Sequence, residues 1–222
     1  MNNFFSFDEF PEYKKLRESQ PYIQNQDFIP VIINDIFDQN ETKHILEAVE
    51  NFPSEKIRIQ KWGGQGVFDH IQISENIKLK IQDIATKAYG EELILAEFSV
   101  VKYSPEYGYE VKLFPHYDTR PFEMFVLDIQ LKTNEDWGIV VEGNTFNLLD
   151  NQAILFSGTQ QMHWRENKKL SDNAEILMIF CWLKHKTPRP ILETESSLML
   201  DRQQVLQKET KILSDEILRG SV

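Results

Sequence analysis

The sequence predicts an α+β domain whose core is a jelly-roll sandwich of short antiparallel strands. Helix-type patterns lie between residues 38 and 90, and β-prone segments separated by turn residues follow from Leu93 onward. Helices that precede a run of short strands are typical of α+β architectures. Aromatic residues make up 12% of the 222 residues, which supplies ample material for a β-rich core.

The first 27 residues alternate aromatic and charged positions without a clean period. We predict that residues 1–27 form an N-terminal arm with one short helix around Tyr13 to Glu18. Residues 28–37 are rich in β-branched side chains and predict the first strand of a domain that extends over residues 28–186.

Two amphipathic helices are expected next. Residues 41–50 place apolar side chains at a 3.6-residue period, and Asn40 or Asp38 is a suitable N-cap. A second apolar stripe runs through residues 74–89, with Gly90 in the position where helices commonly end.

Short strands are expected through the rest of the domain, followed by a helical tail. The strand segments are 93–101, 109–114, 124–131, 138–141, 145–149, 153–156 and 174–183. Residues 187–222 form the tail, in which 193–219 have the pattern of an amphipathic helix. That helix either caps the sheet, which we favour, or pairs with a partner, for instance in a homodimer.

Charge and cysteine content narrow the classes of function. Because 24 basic residues face 35 acidic ones, the net charge is −11, and no nucleic-acid partner is expected. The N-terminus lacks signal-peptide features, and no apolar stretch reaches the ~20 residues that span a bilayer. The single Cys181 excludes an internal disulfide. We expect a soluble cytoplasmic protein without membrane contact.

Two of the five histidines have surroundings that suggest chemistry. His116 and Asp118 are two residues apart at an expected strand end, so both side chains face the same way. His163 follows 47 positions later, a separation that a jelly roll can close. Two imidazoles and a carboxylate on one face of a metal are the arrangement of non-haem Fe(II) oxygenases. The other histidines, His44, His70 and His185, are predicted to lie in surface helix, loop or tail positions.

From about residue 31 to 183 the chain resembles the prolyl-4-hydroxylase-like branch of the 2-oxoglutarate/Fe(II)-dependent oxygenases. The similar segments are 31–52, the turn 100–105 with the metal-binding motif 114–118, the hairpin region 136–146, and 155–163. The resemblance implies a double-stranded β-helix, cupin-like core with N-terminal helices packed on one sheet and a C-terminal helix.

The resemblance also implies a set of functional residues. His116, Asp118 and His163 would bind Fe(II), and Tyr103 would contact the co-substrate 2-oxoglutarate. The implied reaction uses O2 to hydroxylate an unactivated C–H bond, with 2-oxoglutarate decarboxylated to succinate. The substrate would be a peptidyl residue or a small metabolite.

One position departs from the family pattern. The family places a basic residue about ten positions after the second histidine, where this chain has Asn173. Arg165 is the best substitute, because on one strand it points inward together with His163, and guanidinium binds carboxylate bidentately. Arg120, Lys168 and Lys169 are the competing candidates.

Substrate contacts are expected from loops at the triad end of the barrel, which are segments 62–70, 104–109 and 119–123. Within and beside these loops, Arg120 and Trp137 are candidate substrate-binding residues. Two other classes stay open. One is a non-catalytic jelly-roll module that binds a metal or ligand and acts through its C-terminal helix. The other is a cupin-type enzyme without a keto acid, which the absence of His-x-His disfavours.

Overall fold

The computed structural model describes residues 10–19, 28–61, 63–118, 124–165, 169–187, 200–202 and 204–209. They contain ten strands: β1 Val31–Ile33, β2 Arg58–Gln60, β3 Gln65–Phe68, β4 Leu93–Tyr103, β5 Met124–Thr133, β6 Ile139–Val141, β7 Asn144–Phe146, β8 Gln152–Phe156, β9 His163–Arg165 and β10 Ile176–His185. Seven of them form one sheet in the order β1-β8-β5-β10-β4-β3-β2, and three form a second sheet in the order β7-β6-β9. All strand pairs are antiparallel.

The two sheets pack face to face, because side chains alternate along the long central strands. On β5, Leu127 and Ile129 point to the outer face of the large sheet, whereas Val126 packs against β6 in the small sheet. The same alternation places Cys181 of β10 outside and buried. This arrangement of a large and a small sheet confirms the predicted jelly-roll core.

Helices cover the outer face of the large sheet, as predicted. These are α2 Gln39–Glu50 and α3 Glu75–Tyr89, whereas Tyr13 of α1 Pro11–Ser19 packs with Val140 and Trp164 of the small sheet. Ile45 of α2 and Ile77, Ile81 and Ala85 of α3 are buried against the central strands. Each large apolar side chain buried in this way contributes about 1.5–3 kcal/mol.

The starts of α2 and α3 and the end of α3 lie where the sequence predicts them. Asp38 forms a capping box with Glu41 at the start of α2, and Ser74 accepts a hydrogen bond from the first turn of α3. Gly90 ends α3 with φ 87°, a left-handed conformation that favours glycine.

The predicted strand over 109–114 is wrong. The backbone hydrogen bonds of this segment go to two different neighbours instead of following one strand. Lys112 N–H donates to Gly63, and Leu113 accepts from Arg165. The segment therefore bridges the β2–β3 hairpin and β9.

The start of segment 62–70, predicted to be a loop, contains Gly63, Gly64 and Gly66 and belongs to the β2–β3 hairpin. Its glycines permit close approach of the chain. A Cβ on Gly64, which has φ 58°, would lie 2.6 Å from the Glu110 carbonyl oxygen, and one on Gly66 would lie 2.5 Å from the Tyr107 hydroxyl.

The two ends of the described chain pack against each other. Residues 200–202 and 204–209 are helical, and Glu209 carboxylate oxygens accept hydrogen bonds from the Glu12 and Tyr13 amides, each at 3.0 Å. Leu206 is buried in a cluster with Tyr13 and Trp164. Residues 188–199 and 210–222, which include both ends of the helix predicted over 193–219, lie outside the described residues.

Among the helices of the described residues, none combines the length and the apolar character that crossing a bilayer requires.

Candidate metal centre

The backbone brings the three predicted metal ligands together. His116 and His163 exchange both N–H to carbonyl hydrogen bonds, each at 3.0 Å, as a closely spaced antiparallel pair. The Asp118 amide donates to the Gly158 carbonyl at 2.9 Å. These bonds place the segment 113–118 beside β9 and put the ligand side chains on one side of it.

The three side chains form one compact cluster. One donor atom from each residue lies within 4.8 Å of the other two. Asp118 Oδ1 is 3.9 Å from His116 Nε2 and 3.8 Å from His163 Nε2. The side chains therefore converge as two imidazole nitrogens and one carboxylate oxygen, which is a ligand set suited to divalent Fe, Mn, Co, Ni or Zn.

Both imidazoles are held in the tautomer that a metal ligand needs. His116 Nδ1 lies 2.7 Å from the Phe114 carbonyl oxygen, and His163 Nδ1 lies 3.1 Å from that of Gln161. Since a carbonyl can only accept, each Nδ1 carries the proton and each Nε2 keeps its lone pair toward the cluster.

The surroundings also favour the neutral imidazole. Burial lowers the pKa of His163 well below its ordinary value, and the neighbouring His116 lowers it further. A neutral ring is the form that binds metal.

Two neighbours orient the Asp118 carboxylate. Trp182 Nε1 donates to Oδ2 at 3.0 Å, which leaves Oδ1 directed at the two histidines. Gly158 provides the space, because a Cβ at this position would lie 2.5 Å from Asp118 Oδ2 and 2.4 Å from a Val126 methyl group.

A cavity of about 1420 Å³ opens in front of the ligands. It exceeds the roughly 300–1,000 Å³ of pockets for drug-sized ligands. Its floor is the inner face of the large sheet, with Ser99, Tyr103, Val126, Asp128, Phe180 and Trp182 among the lining residues. A cavity of this size can hold more than one small molecule beside the three ligand side chains.

Arg165 lies buried between the two sheets, on the same strand as His163. Its Nη1 donates to the Trp137 carbonyl at 2.7 Å, and Nη2 contacts Met178 Sδ at 2.8 Å. Trp137 is buried as well, with its ring 5.3 Å from the guanidinium carbon and 5.0 Å from the Tyr103 ring. Tyr103, which lines the cavity, thus forms one group with the buried Trp137 and Arg165.

The other predicted residues are distributed differently. Arg120, Lys168 and Trp62 lie outside the described residues, whereas Lys169 is described and its side chain is exposed. His44 and His70 are exposed, and His70 borders the cavity mouth. The prediction of a surface position for His185 is wrong, because strand β10 continues to this residue and buries it against the Tyr89 and Phe125 rings.

Two residues of the site escaped the sequence analysis. Trp182 was assigned only to an apolar strand, and its contact with Asp118 depends on how β10 lies beside the metal segment. Asp128 is an acidic residue within the otherwise apolar start of β5, and it is buried at 5% exposure. Burial raises the pKa of Asp128 to about 7, although Arg165 opposes the shift.

No protein-family model matches the sequence, and no curated protein matches it either. Solved structures do resemble the chain. One is the non-haem alpha-ketoglutarate-dependent epimerase SnoN from nogalamycin biosynthesis, with 14% identity and a TM-score of 0.58, covering 81% of this chain and 86% of that one.

Two further similar structures carry 2-oxoglutarate. The viral collagen prolyl hydroxylase of Paramecium Bursaria Chlorella virus-1 has 12% identity and a TM-score of 0.51, covering 72% of this chain and 98% of that chain. EctD from S. alaskensis, solved with 2-oxoglutarate and 5-hydroxyectoine, has 14% identity and a TM-score of 0.53, covering 72% and 77%. The chain therefore has the double-stranded β-helix fold that these 2-oxoglutarate-dependent oxygenases share, as the sequence resemblance predicted.

Proposed function

We propose that the protein is an Fe(II)- and 2-oxoglutarate-dependent dioxygenase that hydroxylates an unactivated C–H bond. The observation that carries the proposal is the convergence of His116, Asp118 and His163 within 4.8 Å at the edge of a large cavity. Three protein ligands on one face of a metal leave its other positions open for a co-substrate and O2.

When bound, Fe(II) and 2-oxoglutarate supply the oxidising chemistry, and the co-substrate is decarboxylated to succinate. The protein holds the metal ligands in place. Trp182 fixes the Asp118 carboxylate, and the backbone carbonyls of Phe114 and Gln161 fix the two imidazoles. Each of these contacts leaves one ligand atom directed at the metal position.

Arg165 and Tyr103 are proposed to bind the distal carboxylate of 2-oxoglutarate. A buried dicarboxylate needs a cationic partner, and Arg165 is a guanidinium on the same strand and the same face as His163. Burial raises the pKa of Tyr103, so its hydroxyl keeps the proton it would donate. Trp137 holds both side chains through its ring and its carbonyl.

The substrate is proposed to enter the cavity beside the helical residues 204–209. Leu206 and Gln207 of the helical C-terminal residues border this region together with Phe114 and Tyr109. A peptidyl residue and a small metabolite both fit the volume. The similar structures include proteins of both kinds by name, a collagen prolyl hydroxylase and EctD with 5-hydroxyectoine.

The test is turnover by the purified, Fe(II)-loaded protein. Incubation with 2-oxoglutarate and O2 should form succinate, and the rate should rise when the correct compound from a panel of peptides or small metabolites is added. Asp118→Ala should abolish this turnover. Succinate formation that does not exceed that of Asp118→Ala under any condition would contradict the proposal.

A further inference from the structure

Asp128 lies between the metal ligands and Arg165 on the floor of the cavity. In the large sheet Trp182 is opposite Val126, and Phe180 is opposite Asp128. Directly opposed residues share a face, and two residues along a strand advance about 6.6 Å. Asp128 is therefore one such step deeper into the barrel than the Val126–Trp182 pair, which contacts Gly158 and Asp118.

The next step along the same direction reaches Arg165. Met178 follows Phe180 by two residues on β10, and its sulfur contacts Arg165 Nη2. A ligand that chelates the metal and extends toward Arg165 must consequently pass over Asp128.

The charges around Asp128 determine whether its carboxyl group is ionised or neutral when such a ligand binds. Arg165 stabilises its carboxylate, whereas burial and Asp118 oppose ionisation. Tyr103 lines the same cavity, and burial raises its pKa, so its hydroxyl stays protonated. Among the described residues with an electrostatic effect on this region, Arg165 alone is cationic.

On this basis, and resting on the proposed function, we propose that Asp128 binds the 2-oxoglutarate chain as a neutral carboxylic acid that donates a hydrogen bond to a carboxylate oxygen of the co-substrate. An ionised Asp128 would repel the dicarboxylate in a buried site and would compete for Arg165. A neutral acid removes that repulsion and adds a donor.

The pH dependence follows from this role. The pKa of Asp128 is about 7 in the metal-free protein, and a cation bound at the ligands shifts it downward, so the acid form is lost as the pH rises above about 7. Since only the acid form accepts the co-substrate, its apparent affinity should weaken at least about tenfold between pH 6.5 and 8.5. The metal must be saturating throughout, because deprotonation of the histidine ligands acts in the opposite direction.

The experiment is an anaerobic titration of the Fe(II)-loaded protein with 2-oxoglutarate at both pH values. Asp128→Asn keeps a donor and carries no charge, so its Kd should stay within about threefold of the wild-type value at pH 6.5 and should not change with pH. Asp128→Leu has no donor and should bind at least about tenfold more weakly. Glu110→Gln, an exposed carboxylate at the cavity border, should behave as wild type.

The results distinguish a failure of the Asp128 inference from a failure of the proposed function. Tighter binding by both Asp128 variants would show that Asp128 is an ionised group that opposes the co-substrate, and unchanged binding by both would show that it makes no contact; either overturns this inference alone. No binding of 2-oxoglutarate to Fe(II)-loaded wild type would overturn the proposed function as well. The affinity of each variant for Fe(II) without 2-oxoglutarate checks that the variant is folded. If Asp128→Leu does not bind Fe(II), the pH dependence of 2-oxoglutarate binding by Asp128→Asn tests the inference instead.

Discussion

At the residue scale, the metal centre depends on neighbours that are not ligands themselves. The Asp118 carboxylate is enclosed by the Trp182 indole on one side and by Gly158 on the other. Outer contacts of this kind commonly change metal affinity by about 10- to 100-fold when they are removed. Gly158 is notable because its backbone is ordinary, so only space requires a glycine there.

Gly158→Ala should therefore weaken metal binding without a backbone penalty. Its Cβ would lie 2.5 Å from Asp118 Oδ2 and 2.4 Å from Val126, so the carboxylate must move away. We expect the Kd for Fe(II) or Co(II) to rise at least about tenfold, measured by anaerobic titration.

Gly108→Ala is the matched control. Gly108 has φ 76° and open space around its Cβ position, so alanine there should cost about 1 kcal/mol of stability and leave metal affinity unchanged. Equal metal affinity in Gly158→Ala and wild type would show that Asp118 is not confined as described.

The ligand residues were predictable because their signal is local. His116 and Asp118 have strand spacing, and His163 shares its strand with Arg165 as expected. Asp128 and Trp182 were not predictable in the same way, because their positions depend on the register between β5 and β10. A charged residue in the apolar run of β5 was the available signal for Asp128.

At the element scale, the terminal helices act as a pair that supports the metal segment. Tyr13 of α1 forms a hydrogen bond between hydroxyl groups with Tyr117, which lies between the two metal ligands in sequence. Glu209 in turn caps the N-terminus of α1. The separate arm and tail that the sequence indicated are thus in contact, and they contact the domain too.

The helical residues 200–202 and 204–209 should loosen together with α1 when the cap is removed. Glu209→Ala deletes the acceptor for the Glu12 and Tyr13 amides, a loss of about 0.5–2 kcal/mol for α1. Hydrogen exchange should show faster exchange of the α1 amides, while α2 and α3 keep their protection.

Lys208→Ala changes an exposed side chain on the same helix and should leave the exchange of α1 as in wild type. If Glu209→Ala also leaves the hydrogen exchange of the α1 amides as in wild type, the cap contributes nothing to the pairing of the chain ends.

Elements were predictable where one physical signal dominates. The capped amphipathic helices α2 and α3 agree with the sequence to within two residues at each end. Residues 109–114 have strand-like composition, but their hydrogen bonds go to two different neighbours, and no local pattern encodes that division.

At the scale of the whole molecule, buried titratable groups make stability depend on pH. The pKa of Asp128 is about 7 in the folded protein, against about 3.9 in an unfolded chain. Between these values the folded state binds more protons, so the stability from this group is present at low pH and is lost as pH rises to about 7. His163 has the opposite effect below about pH 6.5, because its pKa is lowered.

Asp128→Asn should isolate the contribution of Asp128 to the pH dependence of stability, since His163 is present in both the variant and wild type. In the metal-free state the variant should gain stability relative to wild type on going from pH 5 to pH 8, by up to a few kcal/mol. Urea unfolding at the two pH values gives the difference. If the difference in unfolding free energy between the variant and wild type is the same at pH 5 and pH 8, Asp128 has the same pKa in the folded and unfolded chain.

The most direct test of the account is anaerobic titration of Fe(II) into the metal-free protein, with and without 2-oxoglutarate. We predict a visible metal-to-ligand charge-transfer band only when both are present, absent in His163→Ala and weakened in Arg165→Ala. Bound Fe(II) that gives no band with 2-oxoglutarate would contradict the account and would leave a metal-binding jelly roll without this co-substrate.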